Sequence, residues 1–187
     1  NRWIIGEVVE TLGRLDRAFE ELRFDEMADS IYHFTWGTFC DWYVELVKGA
    51  FDEETKRVAA WAFDQILVVL HPFMPFVTEE LWNANERPYD LIVAKWPAPE
   101  ARRDRDAKAE IDWLISVISS IRSARTEVNV PPGARIPTRA WADGAEVVER
   151  IARARADITR LARVELHDAV DVWTQNAAAN LNTQLQV

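Results

Sequence analysis

Few residues in this chain have the chemistry for catalysis. There is one cysteine, Cys40, and the nearest histidine in sequence, His33, lies about two helical turns before it. A thiolate–imidazole pair needs closer spacing, so a buried thiol beside aromatics is the simpler reading. His33, His71 and His167 are too scattered to suggest a metal site, and one cysteine offers no zinc pair. Glu53–Glu54 and Glu79–Glu80 have the composition of acid/base pairs. At helix starts, however, such pairs serve the helix dipole. No G-x-x-x-x-G-K-S/T or G-x-G-x-x-G phosphate loop occurs. What remains is recognition chemistry. Trp36, Phe39, Trp42 and Tyr43 can stack on splayed bases or fill a helical core, and their spacing favours the core. Arg122 and Arg125 sit one turn apart, suited to phosphate or to an internal salt bridge. Lys48 stands at the end of a long helix beside a loop that can face RNA. Asp41, flanked by large apolar groups, is expected to cap or to pair internally with Arg122 or Arg125.

The elements that position these residues are helical. Ile5, Val8, Leu12, Leu15, Phe19 and Leu22 form one stripe over 3–23. Asp25 is read as the N-cap of a second helix over 26–51. That helix carries two apolar stripes, one through Ala28, Ile31, Thr35, Phe39, Trp42 and Leu46, the other through Trp36, Cys40, Tyr43 and Val47, which places it centrally in a bundle. Asp52 caps a third helix, which His71–Pro72 ends. Pro75 restarts a short fourth, with Thr78 read as its N-cap and Glu80 in its first turn. Residues 87–105 look irregular. A fifth helix covers 106–128, where Arg125 occupies a slot that calls for an apolar residue. Pro131–Pro132–Gly133 ends it. A strand over 136–142, a helix over 145–164 and a strand over 165–173 make a small α/β unit. The arginines 150, 153, 155, 160 and 163 are read as a solvated helix face. The uncharged, Asn/Gln-rich 174–187 reads as a disordered tail. The expected fold is mainly α: a helical bundle over 1–129 and a small subdomain over 130–173.

Composition narrows the function classes. With 49% apolar residues and nine Trp in 187 residues, a substantial core can be buried. No run approaches the length of a membrane span, and no signal peptide is visible. The chain opens on Asn1 rather than Met and reads as part of a longer cytosolic protein. Net charge is −9, concentrated in residues 1–100, which hold 9 basic and 19 acidic residues against 13 and 12 in the remainder. So acidic a body argues against a generic polyanion binder, though not against recognition of a few exposed bases. Eighteen of the 22 basic residues are Arg, which forks onto phosphate and stacks on bases better than Lys.

Four strings carry a family likeness: Phe34-Thr35-Trp36-Gly37-Thr38-Phe39-Cys40-Asp41-Trp42-Tyr43-Val44-Glu45-Leu46; His71-Pro72-Phe73-Met74-Pro75-Phe76-Val77-Thr78-Glu79-Glu80-Leu81-Trp82; Ile118 to Pro132, with Ile121-Arg122 and Arg125-Thr126-Glu127 at its centre; and the weaker Arg2-Trp3-Ile4. Together they resemble the anticodon-binding helical domain of class I aminoacyl-tRNA synthetases. The first two are shared with isoleucyl-type enzymes, while the third points to the valyl branch. The resemblance covers about residues 2–165. It implies an intact ligase that attaches valine to its tRNA with ATP through an aminoacyl-adenylate. The HIGH and KMSKS motifs that bind ATP and the editing domain are absent from this chain, so it is expected to be non-catalytic and to hold no cofactor. The implied partners are the anticodon stem-loop of tRNA(Val) and the catalytic domain of the same polypeptide, in the cytoplasm, with no membrane or DNA partner. The family's helix ahead of Arg2-Trp3-Ile4 and its C-terminal coiled coil are not seen in this sequence. Two other readings stay open: the same domain of an isoleucyl-type synthetase, and a helical scaffold whose Trp-rich faces bind another protein domain.

Overall fold

A computed structural model describes residues 1–84, 87–142, 144–166 and 171–172. The fold is mainly α, in two compact units, Asn1–Ala109 and Glu110–Val187. The sequence sets its boundary at 129/130. The packing divides the chain earlier, inside a helix, because the end of that helix is tied to the segments that follow it. The expected tail over 174–187 lies outside the described residues.

The first unit is a helical bundle. Helix α1 (Arg2–Glu20) buries Trp3, Ile4, Val8, Leu12, Leu15 and Ala18. Val8, Leu12 and Leu15 of the expected stripe are buried, but at its ends Ile4 and Ala18 turn inward while Phe19 and Leu22 are exposed. A left-handed Leu22 (φ 57°) closes the helix, with the Arg23 amide donating to the Ala18 carbonyl at 2.7 Å. Helix α2 (Phe24–Tyr32) follows directly. Asp25 therefore lies inside its first turn and pairs with Arg23 at 3.0 Å, rather than capping it.

From α2 the helix runs unbroken through a π-wound stretch, His33–Tyr43, into α3 (Val44–Val47). The i→i+5 hydrogen bonds advance the buried stripe by one residue. Met27, Ile31 and Phe34 are followed inward by Phe39 and Tyr43, a five-residue step between Phe34 and Phe39 that no α-helical period contains. This corrects the two-stripe reading: Thr35 is not in the core stripe and Trp36 faces solvent.

Asp52 caps α4 (Glu53–Leu70) by accepting the Thr55 amide at 2.8 Å. Helix α5 (Pro75–Asn83) begins with Pro75 in its first turn, and Met74 occupies the N-cap position. Thr78, read as that cap, instead lies fully buried in the first turns, and its Oγ1 donates back to the Met74 carbonyl at 2.8 Å. Glu80 accordingly falls in the second turn and is exposed. Helix α1 packs on α2, the π stretch and α4, and α4 on α5. Leu67, Trp82 and Leu91 form a further core cluster under a 3₁₀ turn, Leu91–Val93.

Helix α6 (Arg105–Glu127) starts in the first unit, capped by Asp104, which accepts the Ala107 amide at 2.9 Å. It continues into the second, where Leu114, Val117, Ile118 and Ile121 are buried. There, β1 (Ile136–Thr138) and β2 (Trp141–Ala142) precede α7 (Ala145–Ala162), and β3 (Val164–Leu166) and β4 (Asp171–Val172) follow it. Strand β1 pairs with β3 and β2 with β4, both in parallel. A parallel pair needs a crossover, and α7 supplies it. The expected strand over 136–142 is thus interrupted at 139–140, that over 165–173 is described only as β3 and β4, and α7 closes on a left-handed Arg163.

Candidate nucleic-acid interface

The residues proposed for tRNA contact fall in different units. Lys48, in the first, follows α3 and ion-pairs with Glu45 one turn back, both on the surface. Arg122 and Arg125 lie on α6 in the second. Arg122 forks Nε and Nη2 onto the Leu161 carbonyl at 3.1 and 2.9 Å. Arg125 is only 6% exposed. Its Nη1 donates to the Arg163 carbonyl at 2.9 Å, and its Nη2 to the carbonyls of Ala134 at 2.8 Å and Pro131 at 3.3 Å. The apolar slot seen in the sequence is therefore an interior position, filled by a guanidinium whose polar end meets backbone acceptors. Asp41, expected to be internal, is exposed on the π stretch.

The π stretch sorts its aromatics into two roles. Phe39 and Tyr43 are core: their rings lie 5.7 Å apart, and Phe39 stacks on Phe63 of α4 at 6.5 Å. Burial, then the nearby Asp52 and Glu54, pushes the Tyr43 phenol up to about 12. It stays neutral and donates to Asn1 Oδ1 at 3.2 Å. Trp42 is half-buried. Trp36 is 55% exposed and Tyr32 58% exposed, four residues apart on the outer side of the same helix. This pair is able to stack on an unpaired base. Cys40 is half-buried, and burial, with Asp41 next to it, raises its thiol pKa, so it is a weak nucleophile at neutral pH.

The His71-Pro72 to Pro75 string builds a joint. Thr78 Oγ1 spends its proton on the Met74 carbonyl, so the 2.8 Å contact with His71 requires the imidazole to donate from Nδ1. Nε2 faces Glu79 Oε2 at 3.9 Å, and Glu79 Oε1 accepts the Leu91 amide at 2.8 Å. The string locks the α4–α5 turn to the 3₁₀ turn, a structural task with no reacting group.

Two arginines that the sequence reading passed over, Arg135 and Arg139, flank β1 and are exposed. The alternation Arg135-Ile136-Pro137-Thr138-Arg139 was the available signal, since it puts both arginines on the outer face of a strand. Among the described residues no helix is long and apolar enough to cross a membrane.

A family model for the anticodon-binding domain of tRNA ligase matches residues 1–140. The chain belongs to this anticodon-binding family. It is also 52% identical over 176 residues to a valine–tRNA ligase from Rhizorhabdus wittichii, covering 89% of this chain and 20% of that protein. Valine–tRNA ligases from Sphingopyxis alaskensis (43%, covering 88% of this chain and 22% of that protein) and Zymomonas mobilis (44%, 88% and 20%) are similar. The chain thus spans about a fifth of the length of these curated relatives. The family match includes the π stretch, the His71-Pro72 joint, α6 and β1, so all three longer strings fall inside it.

Proposed function

We propose that this chain is the tRNA-binding region of a valine–tRNA ligase, facing the anticodon stem-loop of tRNA(Val), while a catalytic domain of the same polypeptide attaches valine with ATP. The observation that carries this reading is the family match over 1–140, joined to identities of 43–52% with valine–tRNA ligases. Those relatives favour a valyl over an isoleucyl assignment. Within it, Tyr32 and Trp36 offer a base-stacking surface. Lys48 and Arg122 serve as phosphate contacts on the surfaces they occupy. Arg125, with its donors on three carbonyls, acts by holding backbone in place.

The test is binding of the full chain to valine tRNA by fluorescence anisotropy, beside the same tRNA with a substituted anticodon. Weaker binding to the substituted tRNA, more than to one with acceptor-stem changes, supports the reading. Equal affinity for all three overturns it.

The scaffold reading has one observation in its favour. Phe73, Met74, Phe76, Val77 and Leu81 at the start of α5 are exposed, Phe76 by 91%. An apolar surface of this kind is a docking surface. In the ligase reading its occupant is the catalytic domain of the same polypeptide, and the two readings agree at this edge.

A further inference from the structure

We infer that the solvent face of the β1–β3 ribbon binds RNA backbone, with Arg135, Arg139 and Arg163 as its phosphate contacts. The inference rests on the tRNA-binding reading and adds a surface to it.

The register fixes the face. Ile136 opposes Val164, Pro137 opposes Glu165 and Thr138 opposes Leu166. Thr138 and Val164 are buried, at 2% and 0% exposure, while Pro137 and Glu165 point to solvent. Arg135 and Arg139 share the phase of Pro137, and Arg163 that of Glu165; all three arginines are exposed. One step back along the register, Arg135 stands beside Arg163. At about 3.3 Å per residue and about 4.8 Å between strands, three guanidiniums cover a patch roughly 13 Å long. Glu165 is the carboxylate facing solvent among them.

Three arginines on this face stand against one carboxylate, Glu165, among the described residues. None of the three is ion-paired with a carboxylate among the described residues. Arg163 Nη1 donates to the Pro132 carbonyl at 2.6 Å, which steadies the side chain without neutralising it. Other arginines support the ribbon through backbone carbonyls. Arg125 holds the Arg163 carbonyl, Arg122 the Leu161 carbonyl and Arg155 the Leu166 carbonyl. Each spends donors on the backbone of the ribbon or of the helix end beside it. A forked guanidinium with donors to spare is matched to phosphate oxygens.

The backbone fixes where Arg163 points. This residue takes the left-handed C-terminal position of α7 (φ 54°, ψ 49°), where glycine has no steric penalty and a residue with a Cβ does. That strain is held by Arg125 and places the guanidinium on the ribbon face. A regular array of positive side chains along a strand pair fits a polymer with regularly spaced anions, and the bound class that meets this is RNA backbone.

The experiment measures affinity of the full chain for valine tRNA in salt between about 50 and 200 mM. For R135Q/R139Q the slope of log affinity against log salt should fall by about 1–2, with affinity down roughly tenfold or more at ~0.1 M. E165Q, which removes the negative charge on the face, should bind more tightly. R102Q/R105Q removes the same charge from exposed positions elsewhere and should leave the slope unchanged. Equal losses in both double variants would reduce the effect to net charge and overturn the inference, as would weaker binding by E165Q. An unsubstituted chain that binds with R135Q/R139Q unchanged overturns this surface alone. No binding by the unsubstituted chain overturns both readings.

Discussion

The two compact units spend their arginines differently. In Asn1–Ala109 basic side chains meet carboxylates: Arg2 with Asp104 at 2.9 Å, Lys108 with Glu7 at 2.7 Å, Arg87 with Asp64 at 2.5 Å and Arg103 with Glu10 at 3.6 Å. In Glu110–Val187 Arg150 pairs with Glu110 at 2.7 Å and Arg160 with Asp157 at 2.9 Å, but four other arginines, Arg122, Arg125, Arg155 and Arg163, donate to backbone carbonyls. A carboxylate pair cancels charge and, on a surface, stabilises by little. A guanidinium on a carbonyl satisfies an acceptor and keeps its charge. The bundle is therefore a packed apolar body with an acidic surface, and the smaller unit is an arginine-pinned frame of nearly balanced charge, with nine Arg against ten Asp and Glu. A net charge of −9 conceals that difference, because the excess acid belongs to the bundle.

The largest way to break this contrast is to remove apolar volume from the bundle. Leu15 is fully buried, so Leu15→Ala should cost about 3–5 kcal/mol in urea unfolding. Native-state hydrogen exchange should place the loss in α1, α2 and α4, with β1 and β3 protected as before. Equal loss of protection in both units would show that they are one cooperative body and would remove the distinction.

The converse change is Arg125→Ala. It strips donors from the carbonyls of Arg163, Pro131 and Ala134 in a buried position, and unsatisfied buried groups cost about 1–3 kcal/mol each. Part of that is recovered by water, giving an expected loss of about 2–4 kcal/mol. Exchange should now rise first at β3 and the 130–135 loop. Arg125→Lys keeps the charge yet cannot span three acceptors, so it should recover only part of the loss. Full recovery by lysine would mean that charge, not fork geometry, holds the frame.

These two sites also mark what the sequence could reveal. Leu15 and its stripe follow from a 3.6-residue period, and helix limits follow from Asp52, Pro75 and Pro131–Pro132–Gly133, residues whose side chains or missing amides act locally. Arg125 was legible as an anomaly, a charged group in an apolar slot, though its acceptors, up to 38 residues away, were not. The π stretch was illegible, since periodicity arguments assume i→i+4 bonds. The π winding sets the five-residue step from Phe34 to Phe39 and leaves Trp36 outward, and no local residue type announces it. The outward turn of Arg135 and Arg139 was readable from alternation. The pairing of that face with Arg163 was not, because it depends on the β1–β3 register between segments far apart in sequence.

A smaller test asks whether the bundle contains a polar pin of its own. Thr78 is fully buried and joins His71 Nδ1 to the Met74 carbonyl. Thr78→Val keeps the shape and orphans the imidazole donor, so thermal unfolding should report a loss of about 1–2 kcal/mol. Thr78→Ser, which keeps the hydroxyl, should cost less than Val. A Val variant as stable as the parent would make the joint an apolar contact and sharpen the division between the units.

The smallest effect is expected from the exposed cap of α4. The Thr55 amide, donating to Asp52 Oδ1 at 2.8 Å, holds this carboxyl below the usual carboxylate range. The sign follows from the protonation states. A folded pKa below the unfolded one, about 3.9, means that the unfolded chain binds the proton first on acidification. The cap's contribution is thus complete above the unfolded value and is lost as pH falls through the folded one. Melting midpoints of the parent and Asp52→Ala should differ slightly and constantly near neutrality, then converge on acidification. Asp104, lowered chiefly by the Ala107 amide and also by Arg2, should show the same sign in Asp104→Ala. A gap that widened towards acid pH would mean that Asp52 acts as a neutral spacer rather than as a charged acceptor. The bundle's carboxylates would then contribute to surface charge without contributing to helix ends.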